Sequence, residues 1–181
     1  MKIALSVPHT PNRPGASACG VNEYGLGCAV IGDLIYRLTK TGHEAWLIGA
    51  DNNLEQINQI NKLNVDCGLE LHFNAFTKDS MKGTEVLHAN SEKGILLADC
   101  IQKSLVKRLG TRDRGIMIGH FRGNVRKPIL GMLQNTNCPF VIPEPLFLSN
   151  PGDFSKIDVL AISWAIFTGL ENYEQILKGE L

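Results

Sequence analysis

The sequence predicts an α/β protein with a central mixed, largely parallel sheet that is flanked by helices on both faces. Short apolar segments of strand length alternate along the chain with longer segments whose apolar residues recur every three or four positions. Strands that alternate with helices favour a layered structure whose sheet is covered on both sides. The length of 181 residues corresponds to a single domain, which we expect to span residues 1–181.

Seven segments have the composition of buried strands. The first is a short apolar run that ends at Pro8, and the second follows the turn at Thr41-Gly42. Residues 8–20 are rich in proline and glycine and are predicted to form a loop. The predicted strands are residues 3–7, 45–48, 67–73, 83–89, 116–118, 129–133 and 138–142.

Four segments predict helices. Asn22 is placed to cap a first helix that reaches about Lys40, and apolar residues recur on one side of it from Leu26 to Leu38. Ser91 is the predicted cap of the third helix. The remaining helices are predicted over residues 54–63, 91–109 and 154–177.

The charge balance excludes several classes of partner. The chain has 18 lysine and arginine residues against 18 aspartate and glutamate residues, so it has no excess positive charge with which to attract nucleic acid or an anionic membrane. Only 20% of its residues are charged and 44% are hydrophobic, which excludes a disordered chain. We therefore expect neither a nucleic acid nor a membrane as partner.

The cysteines and the N-terminal segment indicate synthesis in a reducing compartment. The five cysteines are an odd number and none forms a CxxC pair, which argues against a disulfide framework and against a cysteine-based zinc site. The apolar run at residues 3–7 is shorter than the about 7–15 residues that a signal peptide needs. We therefore expect the chain to stay in the cytoplasm until another agent releases it.

Four residues able to bind a metal or transfer a proton lie at the ends of predicted elements. His9 follows the first strand, Glu23 begins the first helix, His72 lies near the end of the third strand and Glu144 follows the last strand. Ligands of open α/β sheets bind at the carboxyl ends of the strands, so we expect these side chains to converge. Two histidines and one carboxylate suit a catalytic zinc ion, and a second carboxylate can act as general base.

The positions of these residues alone leave other interpretations open, because their spacing matches no short metal-binding signature. A histidine at a strand end often only hydrogen-bonds a loop, and Glu23 in a first helical turn also suits the helix dipole. Glu144 is harder to explain in this way, since it lies between Pro143 and Pro145 after an apolar run.

Six short segments, distributed over nearly the whole chain, are specific together although none is specific alone. They are Ile3-Ala4-Leu5 with His9, Gly20-Val21-Asn22-Glu23-Tyr24, Glu70-Leu71-His72-Phe73-Asn74-Ala75, Gly83-Thr84-Glu85-Val86-Leu87, Arg112-Asp113-Arg114-Gly115, and Val141-Ile142-Pro143-Glu144 with Phe147-Leu148-Ser149-Asn150. In order and rough spacing they resemble the zinc-dependent N-acetylmuramoyl-L-alanine amidases of type 3, in particular the catalytic domains of bacteriophage endolysins.

The resemblance implies that Zn²⁺ is bound by His9, Glu23 and His72, and that Glu144 is the catalytic carboxylate. It also implies a substrate and a reaction, namely bacterial peptidoglycan and hydrolysis of the amide between the lactyl group of N-acetylmuramic acid and L-alanine. The metal would activate the attacking water by lowering its pKa to about 7.

Prolines mark two departures from the family pattern. Glycines usually follow the first ligand of the family, whereas Thr10-Pro11 follows it here. Pro143 and Pro145 flank the catalytic glutamate, where they fix φ near about −65° and remove two backbone donors. These prolines are expected to change the hydrogen bonds that reach Glu144.

Four further residues are weaker candidates. Asn74 and Glu85 could contact the glycan or the stem peptide, and Arg114 belongs to a basic run that could meet stem-peptide carboxylates. Glu70 lies two positions before His72 on a predicted strand, so both side chains share a face and the carboxylate could support that ligand. A purely structural role remains open for each of them.

Three other histidines are not placed in the site. His43 lies in the turn after the first helix and is expected to be solvated, whereas His88 and His120 have no predicted partner.

We therefore expect a peptidoglycan hydrolase of endolysin type, acting as a monomer, with no separate cell-wall-binding domain. It would accumulate in the host cytoplasm and act on the cell wall after release. Two alternatives remain, a different zinc hydrolase on the same scaffold, such as a peptidase or deacetylase, and a wall-binding protein without activity. The second would need neither the metal ligands nor the base.

Overall fold

The computed structural model describes residues 1–49, 52–119 and 129–181. Within these ranges, six of the eight strands form one sheet. The strands are β1 (Lys2–Ser6), β2 (Ser17–Ala18), β3 (Val21–Asn22), β4 (Glu44–Ile48), β5 (Cys67–Glu70), β6 (Thr84–His88), β7 (Asp113–Ile118) and β8 (Phe140–Glu144). The helices are α1 (Glu23–Lys40), α2 (Asn53–Leu63), α3 (Glu92–Leu109), α4 (Ile129–Asn135), α5 (Pro151–Phe154) and α6 (Val159–Lys178).

The main sheet has the strand order β4-β1-β5-β8-β6-β7, and β2 and β3 form a separate small hairpin. Neighbouring strands pair in parallel except β6 and β8, which are antiparallel. Strands β1, β4, β5 and β8 therefore run in one direction, and β6 and β7 run in the other. This arrangement confirms the predicted mixed, largely parallel sheet.

Helices cover both faces of the sheet, as the continuous apolar strands require. Side chains alternate along β1, so that Ile3 and Leu5 pack in a core with α1, α3 and α6, while Ala4 faces a smaller core with α2 and α4. Helices α3 and α6 approach closely at Gly169, where a Cβ atom would lie 2.7 Å from the Cα of Ile101.

The predicted helix caps are confirmed. The side chain of Asn22 accepts a hydrogen bond from the backbone N–H of Gly25, and that of Ser91 accepts one from Gly94. Helix α3 ends at Gly110, which adopts a left-handed φ of 59°. The cap at Asn22 fixes the start of α1 and hence the position of Glu23.

Several predicted bounds are wrong. Residues 129–133 form part of helix α4 instead of a strand, because a short apolar run has no periodicity that separates the two. The neighbours Met132 and Leu133 are both buried, which a helix packed under the sheet allows. The helix predicted at residues 154–177 begins later, as α6 at Val159 with Asp158 as its cap, and Phe154 is instead the last residue of the separate short helix α5, which Asn150 caps.

None of the helices in the described ranges combines the length and the apolarity needed to cross a membrane.

Candidate metal centre and active site

Three of the predicted site residues come together at one edge of the sheet. His9, Glu23 and His72 each offer a ligand atom, and these atoms lie within 4.8 Å of one another. Nε2 of His9 is 3.0 Å from Oε2 of Glu23, and Nδ1 of His72 is 3.1 Å from Oε1 of the same carboxylate. One carboxylate therefore lies between two imidazoles that are contributed by distant parts of the chain.

Glu23 is the first residue of α1, and its side chain is buried. Burial by itself raises the pKa of this carboxyl group, but hydrogen bonds from His72 and from the backbone N–H groups of Phe73 and Ala16 bring the pKa below its ordinary value. The two backbone bonds are both 3.1 Å long. The carboxylate is thus held ionised and fixed in orientation.

His9 lies in the loop after β1 and adopts a left-handed φ of 72°, which is uncommon for a residue with a side chain. Its ring packs against Gly15, where a Cβ atom would lie 2.4 Å from Cδ2 of His9 and 2.5 Å from Oε2 of Glu23. Only glycine therefore fits this position. The close approach depends on how the loop folds, so the sequence around Gly15 carries no local signal of it.

His72 follows β5, and its ring lies between two carboxylates. Its Nε2 atom is 2.9 Å from Oε2 of the buried Glu70, so the two side chains meet as expected, although the strand predicted over residues 67–73 ends at Glu70. Burial lowers the pKa of this imidazole, but Glu23, Glu70 and the nearby Glu144 together raise it to about 10. The site therefore has an excess of negative charge, which favours a bound cation.

Glu144 is the last residue of β8 and is buried next to this cluster. The backbone N–H of His72 donates to the carbonyl oxygen of Pro143 at 3.0 Å, which fixes β8 beside His72. Across the sheet, Glu144 is directly opposite Glu85 of β6. Side chains of directly opposite residues share a face, so both carboxylates lie on the same side of the sheet.

The weaker candidates form a second cluster beside Glu144. Both oxygens of Glu85 are engaged, since Nδ2 of Asn74 donates to Oε1 at 2.8 Å and Nε of Arg114 donates to Oε2 at 2.5 Å. The Arg114 guanidinium also lies over the ring of Phe147, 5.0 Å from its centroid. Nothing in the sequence indicated that Phe147 contacts Arg114, beyond the position of Phe147 shortly after Glu144.

The other histidines lie away from these clusters. The expectation that His43 is solvated is wrong, because it is buried, with Nε2 2.5 Å from Glu171. His88 is also buried, and its Nδ1 atom is 2.8 Å from the carbonyl oxygen of Ala89. His120 lies outside the described residues.

The residues present fit a divalent metal. Two imidazole nitrogens and one carboxylate oxygen are a usual ligand set for a catalytic zinc ion with an open coordination position. Glu70 holds the ring nitrogen of His72 that faces away from Glu23, and this support is typical of metal-binding histidines. The fold and this site define an α/β domain with a cluster of two histidines and one glutamate at one edge of its sheet, which is a candidate metal centre.

The chain belongs to the N-acetylmuramoyl-L-alanine amidase family, because the type 3 amidase model with that description matches residues 3–172. A structure of the N-acetylmuramoyl-L-alanine amidase from Clostridium difficile has a TM-score of 0.83 at 21% identity and covers 96% of each chain. The catalytic domain of an endolysin targeting Clostridia difficile is 27% identical, with a TM-score of 0.78 over 95% of this chain and 97% of that chain.

Curated relatives agree with this family assignment. The N-acetylmuramoyl-L-alanine amidase LytC from Bacillus subtilis is 31% identical over 109 residues, which is 57% of this chain and 20% of LytC. A cell wall amidase from Bacillus anthracis is 31% identical over 123 residues. The matches span about a fifth of the length of these relatives.

Proposed function

We propose that this chain is a zinc-dependent N-acetylmuramoyl-L-alanine amidase that hydrolyses the amide bond between N-acetylmuramic acid and L-alanine in peptidoglycan. The observation that carries the proposal is the convergence of His9, Glu23 and His72 within 4.8 Å, beside the buried carboxylate of Glu144. Family membership supplies the substrate.

His9, Glu23 and His72 would hold the zinc ion. A bound zinc ion lowers the pKa of water and polarises a carbonyl group. Glu23 would contribute the negative charge of the ligand set, and two backbone hydrogen bonds hold its carboxylate in place. Gly15 leaves the space in which His9 and Glu23 approach each other.

Glu144 is the proposed general base. It would accept a proton as water attacks the lactyl carbonyl carbon, and it would give that proton to the nitrogen of L-alanine as the carbon–nitrogen bond breaks. The products are a lactyl carboxylate and a free alanine amine, so one water is consumed for each bond cleaved. The position of Glu144 at the end of β8, next to His72 and opposite Glu85, supports this role.

Asn74, Glu85 and Arg114 are the proposed substrate-binding residues. Their mutual hydrogen bonds form one connected cluster on the side of Glu144 where β6 and β7 begin. Such a cluster offers polar groups to a substrate that reaches beyond the cleaved bond, as the stem peptide does.

We also propose that the enzyme is of endolysin type, active as a monomer and with residues 1–181 as its catalytic domain. It would accumulate in the cytoplasm of a phage-infected host and act on the cell wall after release. The similarity to an endolysin catalytic domain supports this setting. The identity to LytC instead favours a bacterial wall amidase as the second candidate.

The test is a digest of purified peptidoglycan with metal-free and zinc-loaded protein. We expect the zinc-loaded protein to release alanine amino groups while the glycan strands gain no reducing ends. New amino groups on other stem residues would instead identify a peptidase, and free amino sugars would identify a deacetylase. Cleavage by demonstrably metal-free protein would contradict the zinc proposal.

A further inference from the structure

The guanidinium of Arg114 is held in a fixed orientation. Its Nε atom donates to Oε2 of Glu85, and the ring of Phe147 lies against its face at 5.0 Å. Glu85 is itself held by Asn74, whose backbone also pairs with the segment around Phe147. The guanidinium is therefore held by a hydrogen bond at Nε and by the Phe147 ring over one face, and these two contacts restrict the rotamers of Arg114.

The approach of Arg114 to this position depends on Gly83. A Cβ atom there would lie 2.4 Å from the carbonyl oxygen of Arg112 and 3.1 Å from Cγ of Arg114, and Gly83 has a φ of 109° that side chains rarely adopt. Gly83, the residue before β6, thus leaves the space beside which the Arg114 side chain lies.

The two terminal nitrogens of Arg114 make no hydrogen bond within the described part of the chain, while its Nε atom does. A guanidinium that is fixed at Nε presents two parallel N–H donors, which match the geometry of a carboxylate. Because Glu85 is opposite Glu144 in the sheet, this pair of donors is anchored next to the proposed base. A carboxylate near the cleaved bond is the ligand that fits it.

We propose that Arg114 binds the α-carboxylate of the second stem-peptide residue and so selects peptidoglycan that is acidic at this position. The inference rests on the proposed function. In peptidoglycan the residue after L-alanine is D-glutamate linked through its side chain, so its α-carboxyl group is either free or amidated. Only the free form accepts two charge-assisted hydrogen bonds from one guanidinium.

The experiment is a competition between two purified peptidoglycans, one with D-isoglutamate and one with D-isoglutamine as the second residue, in a single digest with zinc-loaded protein. Mass spectrometry of the released peptides gives the ratio of the two kcat/KM values. We expect the wild type to prefer the acidic wall by at least about tenfold, the range of hydrogen bonds to charged groups.

Variants assign the preference to Arg114. Arg114→Gln is expected to bring the ratio close to one, and Arg114→Lys, which keeps the charge but loses the paired donors, to give an intermediate ratio. Arg112→Gln is the matched control, since it removes the same charge from an exposed neighbour and is expected to leave the ratio unchanged. Thermal unfolding of each variant checks that the fold is retained.

Equal cleavage of both walls by the wild type would overturn the inference and leave the proposed function standing. An unchanged ratio in Arg114→Gln, even with a lower rate on both walls, would reduce the arginine to a structural ion pair with Glu85. Absence of cleavage of either wall by zinc-loaded wild type would instead contradict the proposed function, and the inference would fall with it.

Discussion

The two halves of the sheet supply different parts of the site. The parallel half, β1 and β5 with α1, brings His9, Glu23 and His72 to its carboxyl edge. In the reversed half, β6 and β7 are parallel to each other but run opposite to β8, so that the beginnings of these strands, with Glu85 and Arg114, meet the same edge. In the proposed function, the metal ligands and the substrate-binding residues thus come from strands of opposite direction, which meet at β8 and Glu144.

The direction of a strand determines which of its residues lie at a given edge of the sheet. If β6 and β7 ran parallel to β8, Glu85 and Arg114 would lie at the opposite edge of the sheet from His9, Glu23 and His72. Substitutions in the two halves of the sheet are therefore expected to have different effects. Substitutions of the candidate ligands in the parallel half should remove metal, and substitutions in the reversed half should alter substrate selectivity.

The largest effect is expected from loss of a metal ligand. His72→Ala removes one of three ligands, so zinc content and peptidoglycan cleavage should both fall to background. Metal analysis of the purified protein together with a wall-clearing assay measures both. His43→Ala is the control, because His43 is buried away from the site and its loss should lower stability while zinc remains bound. Full zinc content in His72→Ala would remove this residue from the ligand set.

A large effect without metal loss is expected at the junction of the two halves. Glu144→Gln keeps the shape of the side chain but cannot accept a proton, so kcat should fall by at least about 10²-fold with zinc still bound. Glu23→Gln is the matched variant in the parallel half, and it should weaken zinc binding because a charged ligand is lost. Near-normal turnover of zinc-loaded Glu144→Gln would end its candidacy as the base.

A moderate effect is expected from one methyl group in the loop after β1. Gly15→Ala places a Cβ atom within 2.6 Å of both His9 and Glu23, so zinc affinity should fall by at least about tenfold, as for other groups that orient metal ligands. Gly20→Ala is the matched control, since its φ of 80° is similar but no atom lies within 4 Å. It should cost only the about 1–2 kcal/mol of a left-handed residue. Equal zinc affinities in the two variants would contradict the role of Gly15.

The smallest effect concerns the pH dependence of the metal-free protein. The pKa of His72 is raised from 6.5 to about 10, so its protonated form stabilises the fold fully below pH 6.5 and this contribution is lost as the pH rises towards 10. The pKa of Glu23 is lowered, so its contribution is present above pH 4.5 and is lost as the pH falls further.

Thermal unfolding of metal-free protein at pH 6.5 and pH 10 measures the histidine contribution. The decrease in Tm should be larger in the wild type than in His72→Gln, which shares every other titrating group. A parallel decrease in both proteins would show that other groups account for the pH dependence.

The sequence was sufficient to predict the parallel half of the site. The four-residue period and the cap at Asn22 locate the start of α1 and hence Glu23. The rule that ligands bind at the carboxyl ends of strands then predicts that Glu23, His9 and His72 lie near one another, as they do. Their roles in metal binding remain predictions. The rest depends on tertiary contacts, since neither the direction of β6 nor the close packing of Gly15 has a local signal.

The errors have the same physical origin. Residues 129–133 are apolar in either a strand or a helix, and only packing under the sheet decides for α4. His43 looks like a turn residue, but contact with Glu171, far along the chain, buries it. The local sequence pattern thus predicted helices correctly where apolar residues recurred over several turns. It failed for short segments, whose structure is decided by tertiary contacts.

The central position of β8 has a consequence for how the protein folds. This strand is the last of the sheet in the chain, yet it is inserted between β5 and β6. In the folded sheet β8 is the strand that joins β4-β1-β5 to β6-β7, and it also carries Glu144. Such late, long-range pairing slows folding. A growing chain on the ribosome therefore contains His9, Glu23 and His72 well before it contains Glu144 and the strand that joins the two parts of the sheet.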